Sequence, residues 1–211
     1  MPEIRRYRPS DRDDVYEVCV RTGDSGADAR GRYETDDLLP DIYALPYVDL
    51  EPQWAHVVDT GTRVSGYLVA APDTRTFVER YRSRWLPAFA AKYATGGPPA
   101  THARSRSTDA EGQAHFIDTG LHPERMLIAE LDEYPAHLHI DLLPELQGQG
   151  FGRALIRTLV QRLREAGVPG VHLGVGPANT DARAFYARLG FIPLPSVADG
   201  TLLGLRTAAE L

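Results

Sequence analysis

The most regular part of the chain is its last third, where a strand, a helix, a second strand and a second helix are predicted in succession. Residues 137–143 alternate polar and apolar side chains, as in a half-buried strand. Residues 151–166 carry apolar side chains at helical spacing, and a glycine ends that helix. A second strand at 171–175 and a short helix at 179–189 follow. This order is the repeating unit of α/β proteins, so the segment restricts the chain to the α/β class.

A glycine-rich turn joins the first of these strands to the first helix. Gln147, Gly150 and Gly152 form a Gln-x-x-Gly-x-Gly pattern. Glycines allow successive backbone N–H groups to point outward, and the positive end of the helix adds to their field, so the turn predicts a pyrophosphate site. The lysine of a Walker A loop is missing, and so are the glycine spacing and the acidic residue of a Rossmann fingerprint. A tight turn without a ligand is the alternative.

A second motif follows at a fixed distance. Asn179, Tyr186, Gly190 and Phe191 stand in an Asn-x6-Tyr-x3-Gly-Phe pattern. Together the two motifs resemble those of the GNAT superfamily of N-acetyltransferases, over about residues 137–193. The resemblance implies a GNAT fold, a mixed central sheet flanked by helices, with acetyl-CoA as the acetyl donor.

A narrower resemblance covers the whole chain. Short segments such as Gly66-Tyr67 and Trp85-Leu-Pro87, together with Asp141, are similar to the acetyltransferase-like C-terminal domain of eukaryotic O-GlcNAcase. The glycosidase part has no counterpart here, so sugar hydrolysis is not implied.

The remaining elements fit one GNAT domain over residues 1–211. A strand is predicted at 4–7, a helix after Ser10, and a hairpin from strands at 54–59 and 64–71. A minimal domain of this kind does not need the segment of about 75–135. We therefore predict that this segment is a helical insertion before the fourth strand. Within it, aromatic residues at i, i+4 spacing predict a helix at 75–94. Residues 95–107 have no periodicity, which predicts a mobile loop. A pair of helices is predicted at 108–132.

The GNAT resemblance assigns the cofactor contacts. Backbone N–H groups near Leu142 and Leu143 would bind the thioester carbonyl, and Asn179 would contact the pantetheine arm, although Asn179 is also suited to cap a helix. The residues expected around the pyrophosphate are Gln147, Gly148, Gln149, Gly150, Phe151, Gly152 and Arg153. Arg153 could instead face solvent.

Two residues are candidates for proton transfer. Tyr186 would protonate the departing thiolate, since a phenol is protonated at neutral pH, and the alternative is a packing aromatic. Asp141 would take the proton of the amine, and the alternative is a buried structural carboxylate. His137 and His139 share the strand face of Asp141 and are further candidates for the base, and the alternative is that they are ordinary half-buried residues. Their spacing predicts no metal site.

The acceptor contacts are expected in the N-terminal loops and the insertion. The candidates are Asp24, Tyr47, Asp73 and Trp85, and an acidic pocket would suit a cationic amine. For Trp85 the alternative is a place in the apolar stripe of a packed helix.

Charge and composition narrow the partners. There are 29 acidic and 23 basic residues, a net charge of −6, which argues against nucleic acid. Lys92 is the only lysine, and genomic codon bias is the simplest interpretation. The sequence contains one cysteine, no apolar run long enough to span a membrane and no recognisable signal peptide. Together these features predict a cytoplasmic protein.

The activity predicted from the sequence is direct transfer of acetyl from acetyl-CoA to an amine, either a small molecule or a protein. The alternative is an inactive acetyl-CoA-binding relative that acts as a sensor or interaction module. The sequence leaves the oligomeric state open and allows a homodimer.

Overall fold

In the part of the chain that the structure describes, seven strands form one mixed sheet at the centre of the protein. The computed structural model describes residues 1–94, 109–197 and 201–209. The strands lie in the order β1-β2-β3-β4-β5-β7-β6. They are β1 Glu3–Arg6, β2 His56–Asp59, β3 Val64–Ala71, β4 Ala136–Leu142, β5 Gly170–Gly174, β6 Ile192–Pro193 and β7 Leu202–Arg206.

One pair of neighbouring strands is parallel. β4 and β5 run in the same direction in the middle of the sheet, and all other neighbours are antiparallel. Helix α7, Phe151–Glu165, makes the crossover between them, as a parallel pair requires. The sequence predicted this strand–helix–strand unit, and the structure confirms it.

Helices cover both faces of the sheet. The described helices are α1 Arg12–Thr22, α2 Pro40–Tyr43, α3 Leu45–Leu50, α4 Thr74–Arg80, α5 Leu86–Tyr93, α6 Ala110–Leu121, α7 Phe151–Glu165 and α8 Thr180–Arg188. The face that carries α1 to α6 has one apolar core, and the face that carries α7 and α8 has another. Strand β3 supplies side chains alternately to both, which explains why its eight residues are all buried.

The expected insertion lies between β3 and β4 and differs in detail from the prediction. The continuous helix expected at 75–94 is divided into α4, a π-helical turn at Tyr81–Trp85, and α5. Pro87 stands at the start of α5 and has no N–H to donate to the preceding turn, which explains the break. The helical pair expected at 108–132 is α6 and one turn of 3-10 helix at Pro123–Met126. The loop expected at 95–107 lies outside the described residues.

The only lysine of the sequence anchors the insertion. Lys92 Nζ lies 2.8 Å from an Asp37 carboxylate oxygen and 2.7 Å from one of Asp41. Both carboxylates are nearly buried, at 4% and 9% exposed, whereas the lysine side chain is 25% exposed. The Tyr93 hydroxyl also donates to Asp41, at 2.8 Å. Lys92 thus joins α5 to α2 and to the segment just before it.

Strands β6 and β7 had no counterpart in the sequence predictions. They are short and complete the sheet beyond β5. Within the described ranges, none of the helices has the length and apolar character needed to cross a membrane.

Candidate active site

The glycine-rich turn lies between β4 and α7 and is open to solvent. Gly148 and Gly150 have φ angles of +70° and +87°, in the left-handed region that favours glycine. A Cβ at either position would meet nothing within 4 Å, so the backbone conformation, not crowding, is what calls for glycine there. The Gln147 side chain donates to the Leu142 carbonyl at 2.9 Å, and the Gln149 side chain donates to the Glu145 carbonyl.

The first turn of α7 leaves backbone donors at this loop. The Ala154 N–H donates to the Gly150 carbonyl at 3.0 Å, and the N–H groups of Phe151, Gly152 and Arg153 precede this first intrahelical bond. Gly152 is buried, and a Cβ there would come within 3.1 Å of the Phe185 ring of α8. The first turn of α7 therefore packs closely against α8, and it presents backbone N–H groups and a positive helix end to the loop.

Strands β4 and β5 diverge just beyond the start of their pairing. Their register pairs only Ala136 with Val171 and His137 with His172. The Leu143 N–H donates to the Ser65 carbonyl of the neighbouring strand β3, at 3.0 Å. Because N–H groups alternate in direction along a strand, the Leu142 N–H points the other way, into the gap between β4 and β5. Of the two amides proposed from the sequence, the structure therefore presents Leu142 to the gap and pairs Leu143 within the sheet.

A cavity of about 220 Å³ fills this gap and is called the cleft below. It is bordered by the loop after α1, by β4, by the end of β5 and by the start of α8. Asp141, Asn179 and Tyr186 all line it. Asn179 and Tyr186 belong to the start and the body of α8, whereas Asp141 lies on β4, and the cleft between these elements brings the three residues together.

Asp141 faces the cleft and is held by a neighbouring phenol. The Tyr67 hydroxyl donates to its carboxylate at 2.5 Å. Burial raises the pKa of Asp141 above its usual range, and the hydrogen bonds from Tyr67 and Thr22 oppose that rise. The carboxyl group is thus a stronger base than an ordinary aspartate.

Tyr186 is buried in the wall of the cleft at 8% exposed. Its ring packs edge-on against Phe185 and Phe191, at centroid distances of 5.2 and 5.3 Å. Burial and the nearby Asp141 charge raise the pKa of its phenol, so the hydroxyl keeps its proton throughout the neutral range. The packing role and the proton-donor role proposed from the sequence are compatible in this position.

Asn179 caps α8 and lines the cleft as well. Its side-chain oxygen accepts from the Ala182 N–H at 3.1 Å. The amide group retains its other hydrogen-bonding positions for a ligand. Arg153 is exposed on the first turn of α7.

The four acceptor candidates fall in different places. Tyr47 is buried beneath β4, where its hydroxyl lies 2.9 Å from His137 Nε2 and 3.0 Å from His139 Nε2. Asp24 pairs with Arg32 in the loop that borders the cleft. Asp73 caps α4 by accepting from the Thr76 N–H at 2.7 Å, and the Trp85 indole donates to the Asp41 carbonyl at 2.9 Å. Neither Asp73 nor Trp85 lines the cleft or the cavity beside it.

A second cavity adjoins the cleft and is called the aromatic cavity below. It measures about 230 Å³ and lies between the sheet and the insertion. Tyr43 and His139 line both cavities. Tyr43, Thr22 and Cys19 were not identified as site residues from the sequence, and no local pattern marks them, because only the packing of α1 and α2 on β4 brings them to the site.

A mixed sheet that opens between two parallel central strands, with a glycine turn and a helix N-terminus at the opening, is the arrangement of GNAT acetyltransferases. The acetyltransferase (GNAT) family model matches residues 105–191. The crystal structure of SsHAT is 45% identical and superposes with a TM-score of 0.85 over 99% of both chains. The chain belongs to the GNAT acetyltransferase family.

Two more distant proteins extend the comparison. Protein O-GlcNAcase of Rattus norvegicus is 22% identical over 189 residues, which is 89% of this chain and 20% of the rat protein. The chain thus spans about a fifth of the length of that curated relative. A phosphinothricin acetyltransferase from Sinorhizobium meliloti, solved in complex with AcCoA, is 15% identical with a TM-score of 0.53, over 97% of this chain and 88% of that one. The last comparison concerns the fold alone.

Proposed function

We propose that this protein transfers an acetyl group from acetyl-CoA directly to an amine. Membership of the GNAT family supports acetyl transfer in general. The observation that carries the proposal for this chain is that Asp141 and Tyr186 line one cleft, with the Leu142 N–H directed into the same gap.

The glycine turn suits the pyrophosphate of acetyl-CoA. Gly148 and Gly150 leave open space where other residues would carry side chains, and the N–H groups at the start of α7 lie beside them. An anion placed there would be bound by backbone donors and a helix end, so no lysine is needed. This explains how a chain with a net charge of −6 could hold a polyphosphate.

The cleft residues have complementary roles in the proposed reaction. Asp141 accepts a proton from the substrate ammonium, and the free amine nitrogen then attacks the thioester carbon. The Leu142 N–H donates to the carbonyl oxygen, and this hydrogen bond strengthens as negative charge develops there. The carbon–sulfur bond breaks, and Tyr186 donates its phenolic proton to the departing sulfur. The acylated nitrogen loses its second proton, which restores the phenol of Tyr186, and Asp141 releases its proton to solvent.

Two measurements test this proposal. Titration calorimetry should show that acetyl-CoA binds, and release of free CoA should accelerate when an amine is added. Absence of acetyl-CoA binding would exclude the proposed function. Binding without amine-dependent CoA release would instead support the inactive acetyl-CoA-binding alternative.

A further inference from the structure

The aromatic cavity lies next to the cleft, and the two spaces share part of their walls. Five residues line both spaces: Tyr43, Leu138, His139, Leu173 and Gly174. For a molecule whose amine lies beside Asp141 in the cleft, the aromatic cavity is therefore the neighbouring space. The volume of about 230 Å³ exceeds the roughly 150 Å³ that suffices for benzene in an apolar cavity, so a ring or a short alkyl chain fits.

The walls of the aromatic cavity are largely apolar. The rings of Tyr43, Tyr47 and Tyr81 contribute, together with the side chains of Met126 and Leu202. The hydroxyl groups of two of these tyrosines are already engaged, since Tyr47 contacts the two histidines and Tyr81 donates to the Gly120 carbonyl at 3.1 Å. Their rings, rather than their hydroxyl groups, are what an occupant would meet.

The polar groups of the cavity carry no negative charge. Among the described residues that line it, none is an aspartate or glutamate. Burial lowers the pKa of His137, His139 and His172, so all three are neutral near pH 7. His137 is satisfied by Tyr47 and by the Thr74 hydroxyl at 2.7 Å, and His172 by the Tyr134 carbonyl at 2.8 Å. The lining residues also include Arg125 and His122, whose partners lie outside the lining: Arg125 pairs with Asp118, and His122 contacts Asp118 and Glu124.

A second positive charge on the substrate would be poorly accommodated. An ammonium group in this cavity would lose its water and find no carboxylate, which is costly. We infer that the acceptor is a primary amine whose remaining part is an uncharged aromatic or aliphatic group seated in the aromatic cavity. This inference rests on the proposed function, and it replaces the acidic acceptor pocket expected from the sequence.

Two amines of equal length test the inference. Hexylamine and 1,6-diaminohexane differ only in the second ammonium group. We expect kcat/KM for hexylamine to exceed that for 1,6-diaminohexane by at least about tenfold, because the charged end of the diamine must enter the apolar cavity. Equal values, or a preference for the diamine, would overturn the inference.

A matched pair of variants locates the effect. Met126 lines the aromatic cavity and is partly exposed, whereas the neighbouring Leu127 is 42% exposed and lies outside it. Met126→Glu should bring the two kcat/KM values within about threefold or reverse their order, since the new carboxylate can pair with the second ammonium. Leu127→Glu adds the same charge on the surface and should keep the wild-type preference. Equal responses of the two variants would contradict the assignment of the cavity.

Calorimetry with acetyl-CoA alone separates the two levels of the argument. If acetyl-CoA does not bind, the proposed function itself fails. If acetyl-CoA binds and 1,6-diaminohexane is the better acceptor, the proposed function stands and the inference about the acceptor fails.

Discussion

At the scale of single residues, the site depends on how burial changes two ionisable groups. Asp141 and Tyr186 line the same cleft, and burial raises the pKa of both. For the carboxyl group the result is a better proton acceptor, and for the phenol it is a hydroxyl that stays protonated. One environment thus favours the base role of the first and the acid role of the second.

Replacing Asp141 should separate activity from stability. Asp141→Asn should lower kcat/KM by about 100-fold, the usual contribution of a general base. At neutral pH the same change should raise the thermal midpoint, because the wild-type protein must keep ionised a partly buried carboxylate whose pKa is raised. Lowering the pH through the raised pKa of Asp141 protonates the carboxyl group, and the difference in midpoint should then disappear.

The control for this change is an exposed carboxylate. Asp132→Asn removes the same charge from a side chain that is 89% exposed, and it should alter neither quantity. Wild-type turnover in Asp141→Asn would exclude the base role.

Replacing Tyr186 tests the proton donor. Tyr186→Phe should lower kcat by about 100-fold, because the departing sulfur would lose its proton source. The affinity for acetyl-CoA should change little, since the ring and its packing remain. Tyr33→Phe provides the control, because it removes the hydroxyl of another buried tyrosine that does not line the cleft. Unchanged kcat in Tyr186→Phe, measured under steady-state conditions, would show that Tyr186 only packs.

At the scale of elements, the central feature is a turn that must adopt a left-handed backbone. Gly150 ends the loop and precedes α7, and its φ of +87° positions the N–H groups of the first helical turn. The hairpin between β2 and β3 contains Gly61 with a φ of +89° and equally open surroundings. The two glycines therefore form a natural pair, alike in conformation and different in location.

This pair separates the cost of the backbone conformation from the effect on binding. Gly150→Ala and Gly61→Ala should each destabilise the protein by about 1 kcal/mol, since alanine disfavours a left-handed backbone. Only Gly150→Ala should weaken acetyl-CoA binding, by about tenfold, as the loop shifts to relieve the strain. Urea denaturation measures the first quantity and calorimetry the second. Equal acetyl-CoA affinities in the two variants would argue against a binding role for the turn.

At the scale of the whole molecule, the insertion must be held against the sheet. Lys92 performs part of this task through its pairs with the nearly buried Asp37 and Asp41. Genomic codon bias, the interpretation drawn from the sequence, explains why arginine is abundant and lysine rare. It does not explain why a lysine is present at position 92. The compact ammonium group reaches two carboxylates at once, at 2.8 and 2.7 Å.

Removal of this lysine should have a large effect on stability. Lys92→Met should lower the free energy of unfolding by about 3 kcal/mol, because two nearly buried carboxylates lose the lysine that pairs with both. Arg75→Met serves as the comparison, since it breaks an exposed pair with Asp132 and should cost less than about 1 kcal/mol. Urea denaturation of both variants provides the test, and similar values would show that the Lys92 pairs contribute no more than a surface contact.

Much of the fold follows from local patterns. The period-two alternation at 137–143 and the helical spacing at 151–166 predicted β4 and α7, and both are present. Strands β6 and β7 were not predicted. β6 has two residues and so no periodicity to detect, and β7, Leu202–Arg206, is a short buried run without polar–apolar alternation. The break in the helix expected at 75–94 could have been predicted from Pro87.

The site was only partly accessible from the sequence. The glycine turn and the motif around Tyr186 are local, and both border the opening between β4 and β5. The sequence predicts acceptor contacts at Asp73 and Trp85. In the structure Asp73 caps α4, and the Trp85 indole donates to the Asp41 carbonyl. Charge and aromatic character alone cannot distinguish such roles, because the direction of a side chain depends on its neighbours in space.

The sequence by itself determined the α/β class, the strand–turn–helix unit and the conformation of the turn, because these depend on residues within a few positions of each other. Tertiary structure decided which amide, Leu142 or Leu143, points into the gap and that Tyr67 holds Asp141. It also placed, beside the cleft, an aromatic cavity that no described carboxylate lines. These features arise from contacts between residues dozens of positions apart, and only the packing of the strands and the insertion brings such residues together.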